Sequence, residues 1–135
     1  MSFFPLAKLH YPVDKWISLM PVVQISPEFT IDSVYNNLDD YNFGLMIDQS
    51  LAEELELTDT PGIKLIPSQT CLTTVISSEG AGHIMASMLH DAVNYMEDNG
   101  MKMCGNAWGS TIGSYSEGNI HKRYHEIYIP IEFIR

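Results

Sequence analysis

Apolar and polar residues alternate near the C-terminus, in the stretch YHEIYIPIEF at residues 124–133. Alternation with a period of two is typical of a β-strand, because successive side chains point to opposite faces of a sheet. One predicted face is aliphatic and consists of Ile127, Ile129, Ile131 and Phe133. The opposite face carries Glu126 and Tyr128, so a carboxylate stands near the middle of a strand that otherwise reads as core.

A methionine-rich helix is predicted over residues 83–98, because apolar side chains recur there at helical spacing and an Asn-Gly pair follows at 99–100. Its apolar stripe would cover the aliphatic face of the last strand. Earlier in the chain, residues 15–25 alternate as a strand. Residues 26–28 (SPE) have the capping residue, the proline and the acid that begin a helix. Residues 1–14, which contain two prolines, are expected to be irregular.

The order of these elements predicts an α+β domain, in which an antiparallel sheet carries helices on one face. A first module of about residues 15–60 has the order strand, helix, strand, and a second of about residues 61–134 has the order strand, helix, strand, strand. At 135 residues the chain is long enough for a single domain with a hydrophobic core. The sheet face opposite the helices would be covered by the other module, covered by a partner, or left as a groove.

The composition excludes some partners. The net charge is −10 and the chain has seven Lys and Arg residues, so it is not expected to bind nucleic acid, which requires basic residues to replace phosphate counterions. An acidic chain instead favours cationic ligands. No apolar run approaches the roughly 20 residues that cross a bilayer, and no signal-peptide pattern is present, so a cytoplasmic location without a membrane partner is expected. Cys71 and Cys104 are predicted to be reduced core thiols, and the His and Cys spacing predicts neither a metal site nor a cofactor.

Glu126 has two interpretations. It lies either on a solvated face, as most glutamates do, or at the floor of a ligand pocket. Several aromatic residues fall on predicted strands, namely Trp16, Phe43, Trp108, Tyr115 and Tyr128. Aromatic rings around a carboxylate are a common means of holding an organic cation, although an aromatic core is the commoner use of such residues.

Three stretches resemble the GyrI-like domain, the effector-binding domain of multidrug-sensing regulators of the MerR and AraC types. They are PSQTC at residues 67–71, the helix at 83–98 and, most specifically, EIYIPI at 126–131. The resemblance covers about residues 60–133 and implies two βαββ-type modules related by a pseudo-twofold axis, with an aromatic-lined ligand pocket between them. It also implies that Glu126 meets cationic drugs at the pocket floor. Cys71 stands where the family has an aromatic residue.

The resemblance favours a sensor domain that binds a bulky, lipophilic, cationic organic molecule and is part of, or related to, a transcriptional regulator. The expected ligand-binding residues are Glu126, Tyr128, Trp108, Tyr115, Trp16 and Phe43. The alternative is a stand-alone hydrolase of reactive cyclopropane-type compounds, in which Glu126 acts with Tyr115 or Tyr128. A third hypothesis is protein binding through the acidic middle segment, as in a gyrase inhibitor. A linked DNA-binding domain or a second copy of the chain is the expected macromolecular partner.

Overall fold

The computed structural model describes residues 2–5, 13–38, 42–59, 62–80 and 84–135. Within these ranges the chain is an α+β protein whose paired strands are antiparallel, as the sequence predicts. The strands are β1 (Ser2–Pro5), β2 (Gln24–Phe29), β3 (Asn42–Ile47), β4 (Lys64–Leu65), β5 (Cys71–Glu79), β6 (Met101–Met103), β7 (Ala107–Glu117) and β8 (Ile120–Phe133). The α-helices are α1 (Val13–Ile17), α2 (Ile31–Tyr35), α3 (Gln49–Glu54) and α4 (His90–Asp98), and a 3₁₀ helix at Ala86–Leu89 precedes α4. None of the described helices has the length and apolar character needed to cross a membrane.

The described residues fall into two compact units. The first unit consists of the described parts of Met1–Ser26 and Asn42–Ser68. The second consists of the described parts of Pro27–Tyr41 and Gln69–Arg135. This division differs from the two predicted modules, because the segment that follows the middle of β2 belongs to the second unit. Its packing gives the reason: Phe29 and Val34 are buried in the core of that unit, and the backbone N–H of Met103 donates to the Tyr35 hydroxyl at 2.8 Å.

In the first unit, β1 pairs with β3 on one side and with β4 on the other. Its hydrophobic core consists of Trp16, Val23, Leu45, Ile47, Ala52 and Leu57. The prediction that residues 1–14 are irregular is wrong for Ser2–Pro5, because β3 supplies a pairing partner that a local pattern does not reveal. The second strand of the predicted first module is present as β3.

The strand predicted over residues 15–25 is wrong for most of its length. Residues 13–17 form α1, and turns follow as far as β2. Trp16, Leu19 and Val23 recur at helical spacing and pack together in the first core, and the N–H of Leu19 donates to the Trp16 carbonyl at 3.1 Å. Burial of these three side chains therefore prevailed over the local alternation, and Trp16 lies on a helix instead of a strand.

The helix start predicted at residues 26–28 is also wrong, because these residues belong to β2. The helix that follows, α2, begins after Thr30, whose side chain accepts a hydrogen bond from the N–H of Ser33 at 3.1 Å. Thr30 therefore satisfies one of the free N–H groups at the start of α2. Glu28 pairs in register with Trp108 of β7, so β2 extends the sheet of the second unit.

The second unit is built around β8. β7 and β8 form a hairpin that turns at Gly118, whose positive φ of 59° favours glycine, and β5 pairs with the other side of β8. Leu89 and Met96 of the helical segment share a core with Ile127 and Ile129. The predicted division of the last strand into an aliphatic face and a face with Glu126 and Tyr128 is therefore confirmed, except that the Phe133 side chain is 60% exposed.

The helix predicted over residues 83–98 is confirmed in part. Its first described turn is the 3₁₀ helix Ala86–Leu89, and the α-helical part starts at His90. The N–H of Asn99 donates to the carbonyls of Tyr95 and Met96, and Gly100 has a φ of 65°. The Asn-Gly pair thus ends the helix as predicted. Residue 83 itself lies outside the described residues.

Candidate functional site

Trp108 and Tyr128 are neighbours on the sheet of the second unit. They are directly opposite each other on β7 and β8, and their rings stack with centroids 5.6 Å apart and planes inclined by 22°. A stacked aromatic pair at this separation contributes about 0.5–1.5 kcal/mol beyond its buried area. Two of the three predicted site aromatics of the second half thus form one continuous aromatic surface on the face away from α4.

Glu126 lies on the same face, two residues before Tyr128. Its carboxylate accepts a hydrogen bond from the Tyr128 hydroxyl, and both side chains are half-buried. The hydrogen bond to Glu126, followed by burial and by the charge of Glu126, raises the pKa of Tyr128 above its usual value, because each stabilises the neutral phenol. Tyr128 therefore stays protonated and acts as a hydrogen-bond donor that orients the carboxylate.

The indole N–H of Trp108 is a buried donor. Its Nε1 has no hydrogen-bond partner among the described residues, and the side chain is 8% exposed. A buried donor without a partner costs about 1–3 kcal/mol. Because this nitrogen is itself enclosed, Trp108 contributes its ring to the face and not a polar contact.

Glu28 is a second carboxylate on this face, and the sequence interpretation missed it. It is directly opposite Trp108 on β2 and only 8% exposed. Because directly opposed residues share a face of the sheet, Glu28, Trp108 and Tyr128 form one row across three strands. The signal was the alternation within residues 24–29, which the helix-start pattern of residues 26–28 obscured. We call Glu28, Trp108, Glu126 and Tyr128 the Glu126 site.

Gly109 allows β7 and β8 to approach closely beside this site. A Cβ built on it would meet the backbone carbonyl oxygen of Glu126 and lie 2.6 Å from Cδ1 of Ile127. Real Cβ atoms do not approach other atoms so closely, since optimal contacts between carbon atoms are about 3.5–4.0 Å. The glycine in this predicted strand therefore has a structural reason, which is the close approach of a neighbouring backbone.

Tyr115 is not brought to the Glu126 site. It is opposite Lys122, four residues before Glu126 on β8, which corresponds to roughly 13 Å along the strand. Its hydroxyl donates to Glu117, and this hydrogen bond is the main cause that raises the pKa of Tyr115. Tyr115 is 48% exposed and lies beside the turn of the hairpin.

The other two predicted aromatics, Trp16 and Phe43, belong to the first unit. Trp16 is 1% exposed in the core of that unit, where it packs as a hydrophobic side chain. Phe43 lies on β3 and is partly exposed. Of the six predicted binding residues, the structure thus joins Trp108, Glu126 and Tyr128 in one cluster.

A buried histidine lies on the opposite face of β8. Nε2 of His125 is 3.1 Å from the Ser78 hydroxyl, and Nδ1 is 3.1 Å from the Thr111 hydroxyl. Burial is the main cause that lowers the pKa of His125, and the charge of Arg123 acts in the same direction. The Ser78–His125 pair has the residue types of a hydrolase dyad, but Ser78 is 2% exposed, so a substrate has no path to its hydroxyl.

Two cavities lie elsewhere in the two units. One of about 380 Å³ is lined by Leu72, Thr73, Thr74, Asp91, Ala92 and Tyr95 in the second unit. The other, of about 160 Å³, is lined by Val22, Gln24, Met46, Ile47, Asp48 and Leu51 in the first. No residue of the Glu126 site lines either cavity. Within the described ranges, no group of three or more His, Cys, Asp or Glu side chains is placed to hold a metal ion.

Comparison with known proteins adds nothing to this geometry. No protein-family model, no curated protein and no solved structure matches the chain.

Proposed function

We propose that the second unit binds an organic cation, with Glu126 as the anionic contact and the stacked rings of Tyr128 and Trp108 as the aromatic surface. The observation that carries the proposal is the grouping of these three side chains on one sheet face, where the Tyr128 hydroxyl donates to the Glu126 carboxylate. A half-buried carboxylate has lost part of its hydration, so a bound cation can replace water at the oxygen that Tyr128 leaves open.

The chemistry of the cluster favours a flat, lipophilic cation over a hydrophilic one. Aromatic rings attract a cation through their quadrupole by about 0.5–2 kcal/mol, and they bury the apolar part of an organic ligand at the same time. The net charge of −10 acts in the same direction.

The proposal extends to a sensor role in a transcriptional regulator, with two pseudo-repeated βαββ modules and a ligand pocket between them. This part rests on the resemblance of residues 60–133 to the GyrI-like domain, and above all on EIYIPI at 126–131. Ligand binding would then bias a linked DNA-binding domain between two conformations.

The test compares the cation 10-methylacridinium with neutral acridine at mildly alkaline pH, each titrated into the protein and followed by ligand fluorescence. Glu126→Gln keeps the shape of the side chain and removes its charge. We expect this variant to bind the cation roughly 10- to 100-fold more weakly, as for a charge-assisted contact of about 1.5–3 kcal/mol, and to bind acridine almost unchanged.

Glu117→Gln is a matched control, because Glu117 also accepts a hydrogen bond from a tyrosine two residues away, but at the exposed end of the hairpin. It should leave both affinities unchanged. Equal losses for the cation and for acridine in Glu126→Gln would refute charge pairing at this site.

Hydrolysis of a reactive cyclopropane-type compound is the second candidate, and the hydrogen bond between Tyr128 and Glu126 favours it. A carboxylate held by a tyrosine is positioned to activate a water molecule as a general base. Incubation with activated cyclopropanes, followed by mass spectrometry, separates the two functions. Product formation that disappears in Glu126→Gln supports the hydrolase, whereas a complex without product supports the sensor.

A further inference from the structure

Among the residues that the structure describes, the outer edge of β5 is unpaired. Within the second unit β5 pairs with β8 on one side, and no described strand pairs with its other side. The register with β8 runs without a bulge from Cys71 to Glu79. An edge of this kind presents a row of free backbone N–H and C=O groups to any extended chain that approaches it.

Hydrogen bonds at the two ends of β5 identify which groups face outward. The N–H of Ile131 donates to the Thr70 carbonyl at 3.0 Å, and the N–H of Gly80 donates to the His121 carbonyl at 2.8 Å. In an antiparallel pair, residues bonded to the neighbouring strand alternate with residues whose backbone groups point away from it. Even-numbered residues of β5 therefore bond to β8, and the odd-numbered ones, which include Thr73, Val75 and Ser77 in the middle of the strand, direct their N–H and C=O groups outward.

This edge lacks the features that usually protect edge strands. The one charged residue of β5 is Glu79 at its last position, where it pairs with Lys122. The strand contains no proline, and its central residue Val75 is 54% exposed. The strand at the outer edge of the first unit, β4, has two residues, one of them Lys64. Short strands and lysines prevent unwanted pairing with another chain. The edge of β4 therefore has a protection against such pairing that the middle of β5 lacks.

A cavity adjoins the open edge and has the chemistry of a basic side-chain pocket. Its floor and walls include Leu72 and Ala92, and Asp91 and Tyr95 stand one helical turn apart on α4. Thr73 also lines the cavity, so the cavity and the outward-facing backbone groups are contiguous. An arginine or lysine would pack its methylene groups on the apolar part, place its charge beside Asp91 and lie against the Tyr95 ring.

We infer that the open edge of β5 binds an extended segment of another protein, which adds as a strand and inserts an arginine or lysine into this cavity. Main-chain hydrogen bonds would supply affinity and the side-chain pocket would supply specificity. The charge balance selects the partner, because 17 acidic and seven basic residues in the chain attract a basic segment and repel a second copy.

The probe is a short capped peptide in which threonine and valine alternate around one central arginine, and fluorescence anisotropy measures its binding to the full chain. Val75→Pro removes an outward-facing N–H without removing a bond to β8, so the sheet should survive while peptide binding falls roughly tenfold or more. Val75→Thr keeps the N–H and should bind like the natural chain. Methylation of the peptide's alternate backbone amides should abolish binding as well, and this arm does not depend on a protein variant.

The charge is tested at Asp91. Asp91→Asn should weaken the arginine peptide about twofold to fivefold and leave a citrulline peptide of the same shape unchanged. Glu97→Gln, a charge removal elsewhere on α4, should change neither. If the peptide binds Val75→Pro as tightly as the natural chain, or if the methylated peptide still binds, strand addition is wrong. If Asp91→Asn loses the same affinity for the arginine and the citrulline peptide, the basic pocket is wrong. A dimer that light scattering detects, and that Val75→Pro converts to a monomer, would assign the edge to a second copy and overturn the proposed partner.

Discussion

Gly109→Ala perturbs the contact on which the position of Glu126 depends. The added methyl group would overlap the backbone carbonyl of Glu126, with its carbon 3.2 Å from the carbonyl carbon and 2.6 Å from Cδ1 of Ile127. The Ile127 side chain can rotate away, but the carbonyl of Glu126 moves only if β7 and β8 separate. Overpacking costs typically about 1–3 kcal/mol, and a backbone clash places this substitution at the upper end, near 3 kcal/mol.

The assay is urea unfolding followed by far-UV circular dichroism, with a thermal melt as a second measure. For a chain of this length about 3 kcal/mol corresponds to a decrease of roughly 10 °C in Tm. Gly113→Ala is the matched control on the same strand, because a Cβ there has nothing within 4 Å, and it should change the unfolding free energy by less than about 1 kcal/mol. If both variants unfold at the same urea concentration, the close approach of β7 and β8 at Gly109 is wrong.

Three further predictions concern other parts of the chain. Burial lowers the pKa of His125 from 6.5 in the folded chain, so the unfolded chain takes up a proton first as the pH falls. The free energy of unfolding is therefore highest above pH 6.5 and decreases as the pH falls from 6.5 through the lower folded pKa. In urea titrations, the unfolding free energy of the wild type should fall by up to about 1.4 kcal/mol per pH unit more than that of His125→Gln. The same pH dependence of the unfolding free energy in both proteins would contradict this prediction. Iodoacetamide should label the exposed Cys104 before Cys71, because burial is the main cause that raises the pKa of Cys71. Equal labelling rates of the two thiols, measured by mass spectrometry, would contradict this difference in exposure and pKa. Tyr35→Phe removes the acceptor of the Met103 N–H and should cost about 1 kcal/mol in urea unfolding, and no change would contradict that bond.

The last strand was readable from its sequence because strand geometry has a period of two. Alternation alone placed Ile127 and Ile129 on one face and Glu126 and Tyr128 on the other, and the buried isoleucines confirm it. The end of α4 was readable for a similar reason, since Gly100 adopts the positive φ that a helix terminus favours. Local chemistry determines both features.

Residues 15–25 were misread because two periodicities coexist there. The alternation suits a strand, but Trp16, Leu19 and Val23 also recur at helical spacing, and their burial in one core decided the outcome. A local pattern does not rank two such alternatives, because the ranking depends on side chains contributed by distant parts of the chain such as Leu45.

The candidate site was predictable only within one strand. Glu126 and Tyr128 are two residues apart, so their shared face follows from the sequence. The stack of Trp108 on Tyr128 and the position of Glu28 depend on the register between strands, which the pairing of β2, β7 and β8 determines. The two hydroxyls that bond to His125 likewise come from different strands, so the spacing of residues in the sequence does not predict these hydrogen bonds.

The central claim is that the Glu126 carboxylate contacts the bound cation. The most direct measurement is the ¹³C resonance of that side-chain carboxyl, assigned by its loss in Glu126→Gln, during titration with 10-methylacridinium. The account predicts that the Glu126 resonance shifts in a saturable manner with the cation, while the Glu117 resonance stays in place and neutral acridine moves Glu126 little. Saturable binding of 10-methylacridinium with an unmoved Glu126 resonance would contradict it.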